Sequence, residues 1–246
     1  MNNTLVKGLR VLEILARSTS ALGVTEIAAR AGVAKSDAHR LVQTLVEQRF
    51  ARQDARSGAY GSTLRLWELG WAVTGRTDIP TAAEPCIGRL LARTRETVHL
   101  AALDGLDAVY IHKLESPEPV RAYTEIGGRS PAHAVATGKA LLAQLGEAER
   151  RQAALALRRY TPRTIVEPAE FLRELERVRT SGFAVNRGEW RESVWGVAAP
   201  IVDASGRAVA AIGLSGPAER MKPAKLKSLG ALVVDASRAI ARALAA

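Results

Sequence analysis

Val24-Thr25-Glu26-Ile27-Ala28-Ala29-Arg30-Ala31-Gly32-Val33-Ala34-Lys35-Ser36-Asp37-Ala38-His39-Arg40-Leu41 reads as two short helical runs joined at Gly32. Thr25 is the expected N-cap of the first run, and Glu26 falls in its first turn, where a carboxylate meets the positive end of the helix. The second run is predicted over about Lys35 to Gln48. It carries Ala38, Leu41, Val42 and Leu45 on one face and Lys35, Ser36, His39, Arg40 and Gln43 on the other. Two short helices around a glycine turn, the second exposing hydrogen-bonding side chains, is the arrangement that enters a DNA major groove. Ser36, His39, Arg40 and Gln43 are therefore expected to read base edges, since Arg suits guanine and Gln suits adenine. Lys35 is expected to meet phosphate, and Thr25 joins the expected contact set.

On the N-terminal side, Leu5, Leu9, Leu12 and Ala16 recur at helical spacing and predict an amphipathic helix over residues 4 to 17 whose apolar face needs a cover. On the C-terminal side, Ala51 to Tyr60 reads as a strand, a polar turn with Gly58 and a returning strand, which is a wing. Arg52 and Arg56 are expected to face the phosphate backbone or minor groove from it. Residues 64 to 76 look helical but bear apolar side chains on several faces, Trp67 and Trp71 among them. A linker helix packed between domains and against a second subunit accounts for that pattern, and a symmetric dimer would read two half-sites. The expected division is 1–63, a linker helix over 64–77, and a second domain over 78–246.

The charge distribution supports a polyanion partner. The formal net charge is +10. Through Arg76 there are eleven Lys and Arg against six Asp and Glu, which makes the first third about twice as basic per residue as the rest. The N-terminus lacks the order of a signal peptide and no run approaches eighteen apolar residues, so a cytoplasmic protein without a membrane span is expected. Cys86 is the single cysteine, which excludes an internal disulfide and disfavours a thiolate zinc site. A packing role is expected for it.

From residue 78 onward helical and strand periods alternate. Helices are predicted over Pro80 to Arg95, Thr137 to Leu145, Glu147 to Arg158, Pro168 to Thr180 and Pro223 to Leu244. Strands are predicted over Val98 to Leu103, Ala108 to Leu114, Val120 to Thr124, Gly196 to Val202 and Ala208 to Leu214. Asp104-Gly105-Leu106-Asp107 and Asp203-Ala204-Ser205-Gly206 supply two hairpin turns. The result is an α+β chain whose second domain holds a mainly antiparallel sheet.

Catalytic readings fail on spacing. Gly138-Lys139-Ala140 lacks the Ser or Thr and the upstream glycine of a phosphate loop, because His133 stands where that glycine belongs. Gly213-Leu214-Ser215-Gly216 is one residue short of a nucleophile elbow. His39, His99, His112 and His133 show no paired ligand spacing, and His99 and His112, on predicted strands, are read as satisfied structural residues. No metal or cofactor is expected, and the chain is read as a non-enzyme.

From Val6 to the C-terminal helix, the chain resembles the isocitrate-lyase-regulator (IclR) family of bacterial transcription factors. The likeness rests on residues 24–41 quoted above, on Gly128-Arg129-Ser130-Pro131-Ala132-His133-Ala134-Val135-Ala136-Thr137-Gly138-Lys139-Ala140-Leu141-Leu142-Ala143, and on Gly182-Phe183-Ala184-Val185-Asn186. Gly196-Val197-Ala198-Ala199-Pro200-Ile201 and Gly213-Leu214-Ser215-Gly216-Pro217 complete it. The resemblance implies a winged helix-turn-helix joined to a GAF-like effector domain, and dimers that often pair into tetramers on a pseudopalindromic operator in double-stranded DNA. It also implies a small organic acid as effector. Effector contacts are expected at Ala136, Thr137, Gly138, Asn186, Gly196, Gly213 and Ser215, with Arg129 adding charge and Trp195 or Trp190 an apolar wall. Asn186, Gly196 and Gly213 stand where the family usually has Asp, often Cys and often Ser. These departures predict a less polar, roomier pocket and a larger or aromatic carboxylate. Backbone N–H groups near Thr137 at a helix start suit an anion.

Two other classes stay open on the residues: a small-molecule sensor acting through a protein partner, and, more remotely, a catabolic enzyme. An effector would act by favouring one dimer geometry, with the linker helix as the element expected to move.

Overall fold

The structure is a computed structural model that describes residues 3–74 and 79–245. The chain divides into two compact units, 1–77 and 78–246. The first unit runs α1 (Asn3–Arg17), α2 (Val24–Ala31), α3 (Lys35–Glu47), β1 (Ala51–Gln53), β2 (Tyr60–Ser62) and α4 (Arg65–Thr74). Its core is built from Val11, Leu15, Leu22, Ile27, Ala28, Ala31, Ala38, Val42, Ala51 and Tyr60.

Two local expectations are corrected here. α2 begins two residues earlier than predicted, with Gly23 as its cap and no side-chain cap bond, so Thr25 lies inside the first turn and caps nothing. The extended backbone of Gly23 (φ −71°, ψ 151°) already lets its carbonyl start the helix. In α1 the buried stripe is Val11 and Leu15, whereas Leu5 and Leu9 stay more than half exposed. The helix is apolar on two sides, and the side that includes Gly8 packs on the trihelical core. A Cβ on Gly8 would meet Leu41 at 3.7 Å, an ordinary packing distance, so this position faces α3 without requiring glycine. Gly32 does what the sequence asks of it. Its φ of 67° ends α2 in a left-handed cap, with the Val33 N–H bonded to the Ala28 carbonyl.

The second unit runs α5 (Ile79–Thr94), β3 (Thr97–Asp104), β4 (Asp107–Leu114), β5 (Arg129–Pro131), a short 3₁₀ turn (Ala132–Ala134), α6 (Ala136–Leu142), α7 (Glu147–Ala154), α8 (Pro168–Ser181), β6 (Ala184–Arg187), β7 (Val194–Val202), β8 (Ala208–Pro217) and α9 (Pro223–Ala245). The strands form one antiparallel sheet in the order β5-β4-β3-β8-β7-β6. Side chains alternate across it. Leu100, Val197, Ile201 and Ile212 pack under α5 and α9 with Ile87, Val233 and Ile240, while Ala198 and Ala211 face α6 and α8 with Leu141, Phe171 and Leu175. The α6 side of β7 and β8 carries alanine and glycine, which lets that short helix lie close to the sheet.

Two predicted elements change, and two strands appear that were not predicted. Residues 120–124 are not a strand. Pro117 and Pro119 precede them, and their carbonyls are taken by side chains: Thr97 Oγ1 donates to Ala122, Lys113 Nζ to Thr124 and Arg220 to Val120. α7 stops at Ala154 instead of Arg158, whose backbone lies against the His133 ring, its carbonyl 2.9 Å from Nε2. β5 and β6 were not expected as strands. Each is only three or four residues long, too short for a periodicity to register.

Candidate functional site

In the first unit Lys35, Ser36, His39 and Arg40 project from one exposed face of α3, and Thr25, Arg52 and Arg56 are also exposed. The wing is stiffened at its tip. Asp54 accepts hydrogen bonds from the Ser57 N–H (2.8 Å), the Ser57 hydroxyl (2.7 Å) and the Arg56 N–H (3.1 Å), and Gly58 turns with φ 68°. These bonds hold the Asp54 carboxyl below its usual range. Gln43 departs from the expected reading face. Its side-chain amide donates to the Tyr60 hydroxyl at 3.0 Å, which ties α3 to the wing and leaves it half-buried.

In the second unit a small cavity opens between the sheet, α6 and two straps, residues 122–124 and 190–194. Its walls include His99, Tyr110, Thr124, Thr137, Asn186, Trp190, Arg191, Gly196 and Ser215. The polar chemistry of this wall is unusual. Among the described residues, five buried side-chain atoms lack a hydrogen-bond partner, and four of them belong to cavity residues: His99 Nδ1, Thr124 Oγ1, Thr137 Oγ1 and Ser215 Oγ. Burying such groups unpaired costs about 1–3 kcal/mol each, so their convergence marks a surface kept for something that arrives.

Burial drives the His99 imidazole down to about 4, so it is neutral at pH 7, and the ring meets Tyr110 edge-on at 5.0 Å. Burial also pushes the Tyr110 hydroxyl up, offset in part by Ser130, Arg191 and Thr137. Arg191 lies over the Trp190 ring at 4.4 Å and brings a cation to the mouth. A wider groove between α5 and α9, lined by Cys86, Arg89 and Asp235 among others, has no such orphaned atoms.

Of the expected effector residues, Ala136, Thr137, Asn186, Gly196 and Ser215 line this cavity. Gly213 sits behind it. A Cβ there would meet Thr137 Cγ2 at 2.9 Å and His99 Nε2 at 3.1 Å, so those side chains occupy the space the glycine vacates. In this conformation the space is smaller than the roomier pocket those departures predict. The free volume is about 40 Å³, room for about three waters.

Gly138 faces away from the cavity, and an added Cβ would collide with the Ala132 carbonyl, so its role is close packing. Trp195 lies between Val194 and Gly196, and strand alternation turns it to the opposite face, where Arg163 stacks on it. Trp190 is the tryptophan in the wall. Arg129 is exposed and committed to Asp104 (2.6 Å) and Asp107 (3.1 Å), and Arg191 takes the place at the cavity expected for it. His99, read from the sequence as a satisfied strand residue, is instead an unsatisfied wall residue. His112 is paired, at 2.6 Å from Glu84. Cys86 is buried and free.

A winged trihelical unit whose second helix of the turn exposes Lys35, Ser36, His39 and Arg40, followed by an α+β unit enclosing a polar cavity, defines a ligand-responsive DNA-binding protein class. The family model for the IclR helix-turn-helix domain matches residues 4–55, and the one described as bacterial transcriptional regulator IclR C-terminal matches residues 71–242. Among curated relatives, the HTH-type transcriptional regulator XynR of Escherichia coli is 34% identical over 97% of this chain and 95% of its own length. The HTH-type transcriptional repressor AllR of the same species is 34% identical over 98% of this chain and 89% of its own length.

Solved structures agree. Thermotoga maritima IclR superposes with a TM-score of 0.81 at 29% identity, covering 100% of both chains. An IclR homolog from Microbacterium hydrocarbonoxydans complexed with 4-hydroxybenzoate gives 0.83 at 26% identity over 99% of both. The chain belongs to the IclR family of bacterial transcriptional regulators. It is a DNA-binding regulator with an effector-binding domain, and the relatives are named as regulators or repressors, not enzymes. No helix among the described residues is long and apolar enough to cross a membrane.

Proposed function

We propose that this regulator controls a catabolic operon, reading a pseudopalindromic operator as a homodimer through α3 and the wing, and that its cavity takes an organic acid of aromatic size. The observation that carries the reading is the set of four buried, unpartnered polar atoms around one cavity. His99, Thr124, Thr137 and Ser215 offer hydrogen bonds to the polar end of a ligand, Arg191 offers a charge to a carboxylate, and Trp190 and Tyr110 offer ring faces. The relative bound to 4-hydroxybenzoate supports the choice of class. With only about 40 Å³ free, a ring enters only if a wall moves outward, the 122–124 and 190–194 straps being the irregular segments that line it, so binding and a change of conformation are one event.

Lys35, Ser36, His39 and Arg40 are the proposed groove contacts, with Arg52, Arg56 and Thr25 toward the backbone. The dimer reading rests on exposed apolar side chains: Leu9 on α1, and Trp67 and Trp71 on α4, stacked 5.7 Å apart and each more than half exposed. Pairing of dimers into tetramers is read by light scattering with and without DNA.

The test is fluorescence anisotropy on DNA flanking the protein's own gene against scrambled DNA at two salt concentrations, repeated with 4-hydroxybenzoate. Preference for the flanking DNA, and a log-log salt slope near −0.9 per phosphate neutralised, are expected. Equal, weak binding to both DNAs would move the reading to a sensor working through a protein partner. Tighter binding of glyoxylate than of aromatic acids would sink the aromatic class.

A further inference from the structure

Behind the cavity lies a charged cluster that the binding surface does not use. Lys139 is completely buried. Its ammonium touches both carboxylate oxygens of Glu189, at 2.7 and 2.8 Å, and Glu174 of α8 at 3.1 Å. Lys139 follows Thr137 by two residues, about 200° around α6, so one side of the helix faces the cavity and the other faces this pair.

Glu189 in turn immediately precedes Trp190 and Arg191 on the strap. The same short segment is pinned elsewhere by polar bonds: the Glu189 N–H donates to Asn186 Oδ1 (2.8 Å), Thr161 donates to the Gly188 carbonyl (2.7 Å) and Thr164 to the Glu189 carbonyl (2.6 Å). Apolar packing holds the strap mainly through Trp190 against Ala101, Ala108, Tyr110 and Val135.

We infer that Lys139 and Glu189 are positioning residues, an ion-pair latch that holds the Trp190–Arg191 strap closed over the cavity and sets the affinity for the effector. The inference rests on the cavity being the effector site. A buried ion pair is a poor source of net stability but fixes one geometry against others, because its alternatives leave a charge unpaired. Glu174 provides the internal control. It shares the same ammonium and is also nearly buried, but it belongs to α8 and has Arg177 at 2.6 Å as a second partner. A merely structural cluster responds to loss of either carboxylate alike, whereas a latch responds to loss of Glu189 alone.

The experiment is hydrogen–deuterium exchange of the ligand-free full chain, read on peptides covering residues 187–194 and on peptides from β7 and β8, for Glu189→Gln and Glu174→Gln. The expected result is exchange about tenfold faster in the strap of Glu189→Gln with the sheet unchanged, and no change in Glu174→Gln. Lys139→Gln/Glu189→Gln, neutral at both ends, is read the same way if the single variant does not accumulate folded. Equal responses to the two single variants, faster exchange of strap and sheet together, or an unmoved strap each overturn the latch. Calorimetry of the native protein with 4-hydroxybenzoate runs beside it. Absence of binding there removes the aromatic-acid reading, while the exchange data still decide the latch. Where the acid binds, Glu189→Gln is expected to shift its affinity by about tenfold and Glu174→Gln by less than about twofold.

Discussion

α3 and α6 are both short helices entered from an extended residue, Ala34 and Val135. α3 buries only Ala38 and Val42 of its thirteen residues and keeps Lys35, Ser36, His39 and Arg40 in water, whereas α6 buries all seven, Thr137 and Lys139 included. Polar groups on the first helix cost nothing while they wait for a partner, and they select by direction. Those on the second are held away from water, so each must be paired inside or left to be paired by a ligand. On the proposed function, the outward helix reads a surface and the inward helix senses what enters.

The comparison breaks most sharply at Lys139. Lys139→Met leaves Glu189 without its buried partner and is expected to destabilise the second unit by about 3–5 kcal/mol in urea unfolding, while no single polar substitution on the exposed face of α3 costs more than about 0.5 kcal/mol. Next comes His99. With its pKa lowered from 6.5 to about 4, the unfolded chain binds a proton that the native state refuses, so stability falls as the pH drops through that window. The loss is on the order of 3 kcal/mol once below it, and His99→Phe should flatten that part of the pH–stability curve.

Arg40→Ala inverts the pattern. It is expected to leave the unfolding curve in place and to weaken operator binding by about 1–3 kcal/mol in the anisotropy assay. A drop in stability with unchanged DNA affinity would undo the reading of α3. The smallest effect sharpens the contrast: Thr137→Val removes an unpaired hydroxyl and should leave the ligand-free protein within about 1 kcal/mol of the parent, while weakening effector binding in calorimetry.

The two units also differ in how far their sequences could be read. The helix-turn-helix was legible because its information is local: Gly32 ends one helix, the apolar period defines the next, and Arg52 to Gly58 makes a turn. Its errors were local too. Thr25 looked like a cap until Gly23 took that role, and Gln43 looked free until Tyr60, seventeen residues away, claimed it.

In the second unit the order of the long elements was legible, and alternation along the strands gave the sheet. The cavity was legible only where the resemblance supplied positions, as at Thr137, Asn186, Gly196 and Ser215. His99, Tyr110 and Arg191 reach it from three separate stretches, and no spacing along the chain records that. Arg129 and Trp195 were misplaced for the same reason. Residue type predicted a charge and a ring, but strand parity and the nearby Asp104 and Asp107 decided where they point.

The ion pairs of Arg129 bear on how copies of this protein avoid sticking together. The six-stranded sheet is flanked by its shortest members, β5 with three residues ending at Pro131 and β6 with four ending at Arg187. Arg129 clamps β5 to the adjacent hairpin tip, and the Gly127 and Gly128 backbone pairs with Tyr110 just beyond it. Short margins carrying proline and arginine give an incoming strand little backbone to template on. The sheet thus resists growth by strand addition, the step that would otherwise turn an open edge into the seed of a fibril.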